Sequence, residues 1–538
     1  MNVNPFKKVS QAPTNPAAKG AAKRFDVADL YEGPVAMSSP SADDGVQLDE
    51  KLRQAYFWIV NNAIISPHYD IEYNAGPSVS MVFGDSKTRV NLPSGQSYSS
   101  FVLIPLLTFA TQRRCLLIGG PGRGKTSSAV LMGVLAGYSV RELRRAMVHG
   151  QPQMTVADLL GNPMPADLIN AKKMEDINIA WRSWLPMRIK IIDEYNRIPT
   201  RTQSALLTVM SDNYAELLNH IQECPPAAWY LTANDDTGGG TYAVIEALRD
   251  RIDVVVKSLH FNSRFLNELL TRIEEKIEPA EVVPQQLIFT KDQTSRMNNE
   301  ILGVELEVPL RRRLEFFASQ FEFFEPGGDQ VEYKTKDTAR LSGMDYHSLT
   351  GRDTGKDRLK DIGAQTRNGL SVRSLMSAMV FAKALAYFRG NPSAELEDLR
   401  QILPFVLYDK LIPDSDCPFF DAAGNEVLRV DRVAWIRRMF DMACAEYDRL
   451  NLDKDDPVAE LDAEFAKGLS GVTEAEARSR LIRIERVLNS WTKGRKLYGH
   501  VFDDLLKLKY LHQRYTNYLA WLEWNSRKIA SKDGGRGA

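Results

Sequence analysis

Cysteine is scarce. Four residues in 538, Cys115, Cys224, Cys417 and Cys444, lie far apart and form no CxxC pair. That spacing excludes a disulfide framework and a cysteine-built zinc site, and it points to a reducing cytoplasm. The seven histidines show no ligand spacing either. No run of about 18 uncharged apolar residues occurs, so no membrane-spanning helix is expected. An excess of either charge is also missing: 68 Lys and Arg stand against 69 Asp and Glu, a formal net charge of −1. A whole-chain attraction to nucleic acid or to an anionic membrane is therefore not implied. The first 25 residues, MNVNPFKKVSQAPTNPAAKGAAKRF, lack the apolar centre of a secretory signal. Their basic, Pro-, Asn-, Ala- and Gly-rich composition predicts a disordered tail over 1–25.

What is present is an ordinary globular composition, 44% hydrophobic and 25% charged, in a chain long enough for three or four domains at ~150 residues each. Residues 26–99 read as a small mixed leader. LDEKLRQAYFWIVNNAII has helical periodicity, and SVSMVFGDSKTRVNL reads as two short strands around a Gly-Asp-Ser turn. SFVLIPLLTFATQ predicts an apolar helix over 100–112, softly broken at Pro105. From Cys115 the strands CLLIG, RIKIID, WYLTAN and DVVVKSL alternate with helical segments. Near-continuous apolar strands of this kind indicate a parallel sheet covered on both faces, so the fold class is α/β over 100–262. Helices dominate afterwards: an insertion plus a helical lid over 263–411, its helical part at 366–411, and a mostly helical extension over 412–538.

One turn carries the chemistry. LLIGGPGRGKTSSAVLMG places Gly119, Gly120, Pro121, Gly122, Arg123 and Gly124 between a strand and a helix that opens on Lys125, Thr126 and Ser127. The spacing Gly119-x4-Gly124-Lys125-Thr126 is the Walker A pattern. Its glycines let backbone amides turn inward as a nest of donors, and the helix start adds its own unsatisfied amides. Lys125 then neutralises β- and γ-phosphate charge, and Thr126 offers a hydroxyl to Mg²⁺. RIKIIDEYNRIP ends a second strand on Asp193 and Glu194. Asp193 is the candidate metal ligand, beside Thr126, and Glu194 is the candidate base for an attacking water. WYLTAN brings Asn234 to the tip of a neighbouring strand, where its amide orients the same water. ALRDRID brings Arg249 and Arg251 to a helix end, as candidate arginine fingers for a neighbouring subunit. His149 is expected to be a core or supporting residue.

These residues resemble an AAA+ ATPase and, within that superfamily, the MoxR group, MoxR- and CbbQ-like. GGPGRGKT, VHGQPQMTVADLLG, DEYNRIPTRTQSALLTVM, TANDDTGGGTYAVIEALRDRID and NGLSVRSLMSAMVFAKALAYFRG are each similar to a segment of that group. The likeness covers roughly 100–411. It implies a P-loop AAA+ core with helices on both faces of the sheet, followed by a helical lid and a helical C-terminal extension. It implies that Asn234 is sensor 1 and that Arg373 is sensor 2, reaching the bound nucleotide from the lid. Arg251 is the first choice as finger and Arg249 the second, and 150–187 is an insert projecting toward a ring pore. Tyr195 departs from the group's Ile, Ser-Val-Arg at 371–373 departs from its Ser-Pro-Arg, and a long insertion occupies about 285–362. The activity implied is ATP hydrolysis with Mg²⁺ by a hexameric ring that remodels or activates a client protein beside a von Willebrand A domain partner. Two other readings stay open: a nucleic-acid-associated motor, and a nucleotide-gated scaffold of a larger assembly. The first draws on residues 475–538, with 14 Lys and Arg against six Asp and Glu and aromatics from Trp491 to Trp524 interleaved. Apolar spacing in LLKLKYLHQRYTNYLAWLEW favours core packing for most of those rings, with the acidic stretch 446–464 neutralising the basic face.

Overall fold

The computed structural model describes residues 46–533 except 66–67, 85–87, 174–175, 235–243, 276–277, 345–360 and 493–496. The basic tail expected over 1–25 and the Gly-Thr-Tyr segment at 238–242 lie outside the described residues.

The leader supplies α1 (Leu48–Trp58), prolonged by a π-helical turn to Ala63, and four short strands. These are β1 (Ile71–Glu72), β2 (Val79–Phe83), β3 (Thr88–Leu92) and β4 (Ser97–Tyr98). β1 pairs with β4, and β2 pairs with β3 as an antiparallel ribbon, the two strands expected around Gly84. The leader shares the main apolar core. Tyr56, Tyr98 and Phe388 meet edge to face at 5.2–5.6 Å, an arrangement aromatic quadrupoles favour.

α2 (Ser100–Thr111) runs through Pro105 without a break, contrary to the expected kink. Every residue of α2 is buried, so packing on all sides holds the helix where propensity alone would open it. Buried hydroxyls of Thr108 and Thr111 donate to the carbonyls four residues back, and the Pro105 carbonyl accepts from Tyr230 Oη at 2.9 Å.

The central sheet contains β5 (Arg114–Ile118), β6 (Val148–His149), β9 (Ile189–Asp193), β12 (Ala228–Ala233) and β13 (Val254–Lys257). All pairings are parallel, in the order β13-β5-β12-β9-β6. The order reverses at β5, so a crevice opens at the carboxyl end of that strand, where open α/β sheets bind ligands. Two antiparallel pairs project from the frame: β7 (Gly161–Pro163) with β8 (Ile179–Trp181), and β10 (Tyr214–Leu217) with β11 (His220–Glu223). The first lies in the expected insert at 150–187.

The helices that matter for the site are α3 (Lys125–Leu135), α4 (Thr200–Asp212), α5 (Glu246–Arg251) and α6 (Leu266–Glu274). Beyond them α7 (Val372–Phe388) packs against α2, and α8 (Leu396–Leu407) packs against α7 and edge strand β13. α9 (Arg432–Arg449) still contributes Trp435, Ile436 and Phe440 to the same core. A second, smaller core begins at Val458, among α10 (Pro457–Ala466), α11 (Glu474–Trp491) and α12 (His500–Asp533). Three of its basic side chains pair with the acidic stretch: Arg483 with Glu464 at 2.5 Å, Arg480 with Glu464 at 3.7 Å and Lys507 with Asp462 at 2.6 Å. Tyr515 is buried there, whereas Trp521 and Trp524 are exposed.

β9 carries one charge that the apolar pattern conceals. Lys190 is fully buried. Its ammonium donates to the carbonyls of Trp184 (3.3 Å), Leu185 and Met187 (3.0 Å), with the Trp184 and Trp229 rings beside it. Burial pushes its pKa down to about 8. Between pH 8 and the unfolded value near 10.5, the unfolded lysine keeps a proton that the native one has released. This group's contribution therefore makes the native state more stable as pH rises through that window, and is flat below it. Lys190→Met takes one donor from each of three carbonyls at every pH, although the Trp184 carbonyl keeps the Met187 N–H. Urea melts should show the gap between wild type and variant widening from pH 8 to 10 by on the order of 2 kcal/mol. A gap independent of pH would refute the assignment.

Candidate nucleotide site

The glycine turn follows β5 and opens into α3. Gly119, Gly122 and Gly124 have φ of 146°, 71° and 75°, the region that favours glycine. A Cβ on Gly119 would also lie 2.8 Å from the Ser258 carbonyl. The turn is tied to the end of β13 in both directions: Arg123 Nη1 donates to the Ser258 carbonyl at 3.2 Å, and Ser258 Oγ donates to the Arg123 carbonyl at 3.0 Å. Pro121 and Gly120 lie between these anchors, and Ser127 follows on the helix and lines the adjoining cavity. Gly124 is the N-cap of α3, so amides of loop and helix start converge on one spot, a ready anion site.

Lys125 is buried, and its ammonium donates to the carbonyls of Gly119 (2.7 Å) and Gly120 (2.8 Å) and to Asn234 Oδ1 (2.9 Å). The other end of the Asn234 amide donates to Glu194 Oε1 at 3.0 Å. One amide therefore spans the lysine of the loop and the carboxylate at the end of β9. Glu194 Oε2 lies 3.2 Å from Arg197 Nε. Glu194 has φ 53°, a conformation rare for a residue with a side chain. Its amide donates to Thr232 Oγ1 at 3.0 Å, and Gly150 lies against its carbonyl so closely that a Cβ there would approach to 2.2 Å.

Asp193 Oδ1 accepts from Thr126 Oγ1 (2.8 Å) and Thr232 Oγ1 (2.7 Å), and Asp193 Oδ2 lies 3.4 Å from His149 Nδ1. His149 is mostly exposed rather than in the core. Among the described residues no three His, Cys, Asp or Glu side chains cluster as a metal cage. A hydroxyl and one carboxylate at this spacing fit instead a hard cation such as Mg²⁺, which keeps waters and takes its remaining ligands from phosphate oxygens.

A cavity of ≈ 1230 Å³ opens beside the turn. Its walls come from Ile64 and His68 of the leader, the 258–261 segment after β13, and Leu269 and Ile273 of α6. His68 Nε2 lies 3.0 Å from the His260 carbonyl, and the two rings are 5.0 Å apart. Mostly apolar walls with a few polar groups suit a planar base and its sugar. Sequence reasoning missed these residues because they come from segments far apart in the chain. Thr232 was legible in principle, since it precedes Asn234 by two in a strand and so shares its face.

The arginines lie elsewhere. Arg373 Nη1 donates to Asp250 Oδ2 at 2.9 Å, Ser371 Oγ donates to Asp250 Oδ1 at 2.5 Å, and Ser377 Oγ donates to Asp253 Oδ1 at 2.6 Å. Burial alone would raise the Asp250 pKa, but the bonds from Ser371 and Arg373 outweigh it and hold the carboxyl below its usual value. Asp253 precedes β13, whereas Lys257 ends it beside Ile118, so Asp253 sits ~13 Å down the sheet from the glycine turn at ~3.3 Å per residue. In this structure Arg373, expected at its own nucleotide, pairs instead with Asp250, and Ser377 one turn along α7 bonds Asp253 at the amino end of β13. Arg251 shares that end, its guanidinium donating to Ser211 Oγ and to the Ala247 carbonyl at 2.9 Å. Arg249 turns inward toward Tyr195 and Asp409, whose pKa values burial raises and the Arg249 charge lowers in part.

Sheet order, glycine turn and paired side chains define the α/β core of a P-loop nucleotide-binding protein. Residues 114–254 match the model of the ATPase family associated with various cellular activities (AAA). The chain is therefore an α/β protein with an AAA+ core and a largely helical C-terminal region. No curated protein matches it significantly. Among solved structures it is similar to a protein of Cytophaga hutchinsonii assigned as an ATPase. That likeness has 19% identity, covers 63% of this chain and 89% of the other, and has a TM-score of 0.44, too loose to bear on activity. No helix among the described residues is long and apolar enough to cross a membrane.

Proposed function

We propose that this protein is an ATP-hydrolysing AAA+ motor of MoxR type that works as a homo-oligomeric ring, hexameric, in the cytoplasm. The observation that carries the reading is Asn234, whose amide joins Lys125 to Glu194 while Thr126 and Asp193 face each other 2.8 Å apart. Those are the parts that phosphoryl transfer needs, in mutual reach. The triphosphate lies in the amide nest of 119–127, its negative charge met by Lys125, with base and sugar in the adjoining cavity. Thr126 and Asp193 would hold Mg²⁺, which would supply charge neutralisation for the triphosphate. Glu194 Oε1 orients a water and draws its proton as the oxygen attacks the γ-phosphorus, and the bond to the β-phosphate oxygen breaks to give ADP and phosphate. Asn234 positions Glu194. Arg251, with Arg373 beside it, serves the site of the next copy, since neither is near its own. The resemblance to the MoxR group supports a client protein as the object of the motor and a von Willebrand A domain protein as its companion. The internal pairing of the basic C-terminal helices favours this over a nucleic-acid motor.

Binding of fluorescent ATP and phosphate release test the reading. Wild type should do both with Mg²⁺, and Lys125→Ala should lose binding by at least ~100-fold, the cost of a buried charge-assisted contact to phosphate. Unchanged affinity in the variant would remove Lys125 from the cradle.

A further inference from the structure

We infer that the β2–β3 ribbon is an arm that packs on the arginine-bearing face of a neighbouring copy of this chain. The inference rests on the ring reading above and goes beyond it. All ten residues of β2 and β3 are exposed. Register places Val79 opposite Leu92 and Met81 opposite Val90 on one face, with Ser80 opposite Asn91 on the other. The first face is apolar, with exposures of 56%, 48%, 47% and 39% in that pairing order, where strands of a two-layer fold would cover it. A two-stranded ribbon is marginal in water without something packed on it.

The root is firm and lies beside the nucleotide cavity. The chain leaves the cavity wall at His68 and rejoins it at Ser99 and Ser100. Between these points β1 pairs with β4, Tyr73 Oη donates to Asp398 Oδ1 at 2.7 Å, and Gln401 Nε2 donates to the Glu72 carbonyl at 2.8 Å. The arm is therefore rooted in the cavity wall.

Area and chemistry select the occupant. Phe83, opposite Thr88 and 58% exposed, lies on the same face, and the five apolar side chains offer roughly 400 Å², well short of the ~800 Å² per partner of a stable interface. The arm must thus belong to a larger contact. The larger contact that this site requires is a second copy presenting Arg251, because the glycine turn and that arginine lie at opposite ends of one sheet. Exposed apolar side chains lie on the elements bonded to the helix that carries Arg251. Arg340 Nη1 pairs with Glu246 of α5 at 2.5 Å, which brings Leu341 (84% exposed) and Met344 (55%) beside the arginine helix. Val372 (73%) and Met376 (48%) flank Arg373 on α7. Arm and arginine-bearing face are different surfaces of one chain, so their contact is heterologous and propagates around a ring.

Sedimentation with a non-hydrolysable ATP analogue tests this in the full chain. Wild type should assemble, and M81D/V90D should stay monomeric while its affinity for fluorescent ATP remains within about twofold of wild type. S80D, on the opposite face, should assemble as wild type does. In a second measurement, oxidation of a Met81→Cys, Met376→Cys protein should give cross-linked dimers and higher ladders, with none from either single variant. Assembly of M81D/V90D at wild-type strength, or an assembled ring with no cross-link, overturns the arm. A wild type that binds ATP yet never assembles overturns the ring reading itself, and a wild type that binds no ATP overturns the nucleotide reading.

Discussion

Glu194→Gln is expected to bind ATP as tightly as wild type and to release phosphate some 10²–10⁴-fold more slowly, the range a positioned general base contributes. The substitution keeps size and the hydrogen bond to Asn234, since an amide oxygen still accepts from Asn234 Nδ2. What it removes is the ability to take a proton. Arg197, 3.2 Å from Glu194 Oε2, loses its ion-pair partner, but the pair is half exposed and its loss is worth little. Binding should therefore survive, and ATP-loaded protein should accumulate. Single-turnover phosphate release separates the outcomes: wild-type turnover by the variant would move the base elsewhere, whereas lost binding would give Glu194 a structural role in the cradle.

Arg251→Ala should lower turnover by 10³-fold or more while leaving ATP bound, as expected where a finger stabilises charge in the transition state. The site itself is untouched, because Arg251 contacts Ser211 and the Ala247 carbonyl at the far end of the sheet. Mixing supplies the sharper measurement. Lys125→Ala protein has a sound finger and a broken pocket, and Arg251→Ala protein has the reverse. In a randomly mixed ring about a quarter of the sites combine a sound pocket with a sound finger from the neighbour, so activity should return to about that fraction. Activity in the mixture no greater than in its inactive parents would exclude service in trans by Arg251. Arg249, turned toward Tyr195 and Asp409, makes the poorer candidate, and the mixing result with Arg249→Ala distinguishes the two.

Much of the site was legible because its chemistry is local. The turn 119–126 combines its glycines, lysine and threonine within one strand-to-helix junction, and the pair Asp193-Glu194 must stand at the carboxyl end of its strand. In a parallel sheet, strand ends of the same direction meet on one edge, so Asn234 could be brought to them from its own strand alone. The arginines were not legible in the same way. Arg373 lies on a helix whose direction along α2 is set by packing of Ala378, Phe381 and Leu385, and nothing in that apolar spacing says which end of the sheet its first turn will reach. Pro105 shows the same limit: a residue that breaks an isolated helix is tolerated where all twelve residues of α2 are buried. Lys190 reads as an interruption of a strand, and only the three carbonyls at the end of the preceding loop explain how it is housed.

By itself, the order of residues determined the glycine turn, the two carboxylates, the alternating α/β pattern and the acid–base balance of the C-terminal helices. Each depends on groups within a few residues of one another or on a period of two or 3.6. The tertiary structure alone decided that the leader walls the cavity, that Asn234 joins Lys125 to Glu194, and that Arg251 and Arg373 lie toward the opposite end while Arg249 turns to Tyr195 and Asp409. Those relations depend on how helices of nearly uniform apolarity settle on a sheet. That outcome is chosen by the shape and volume of whole side-chain sets, which no short pattern records.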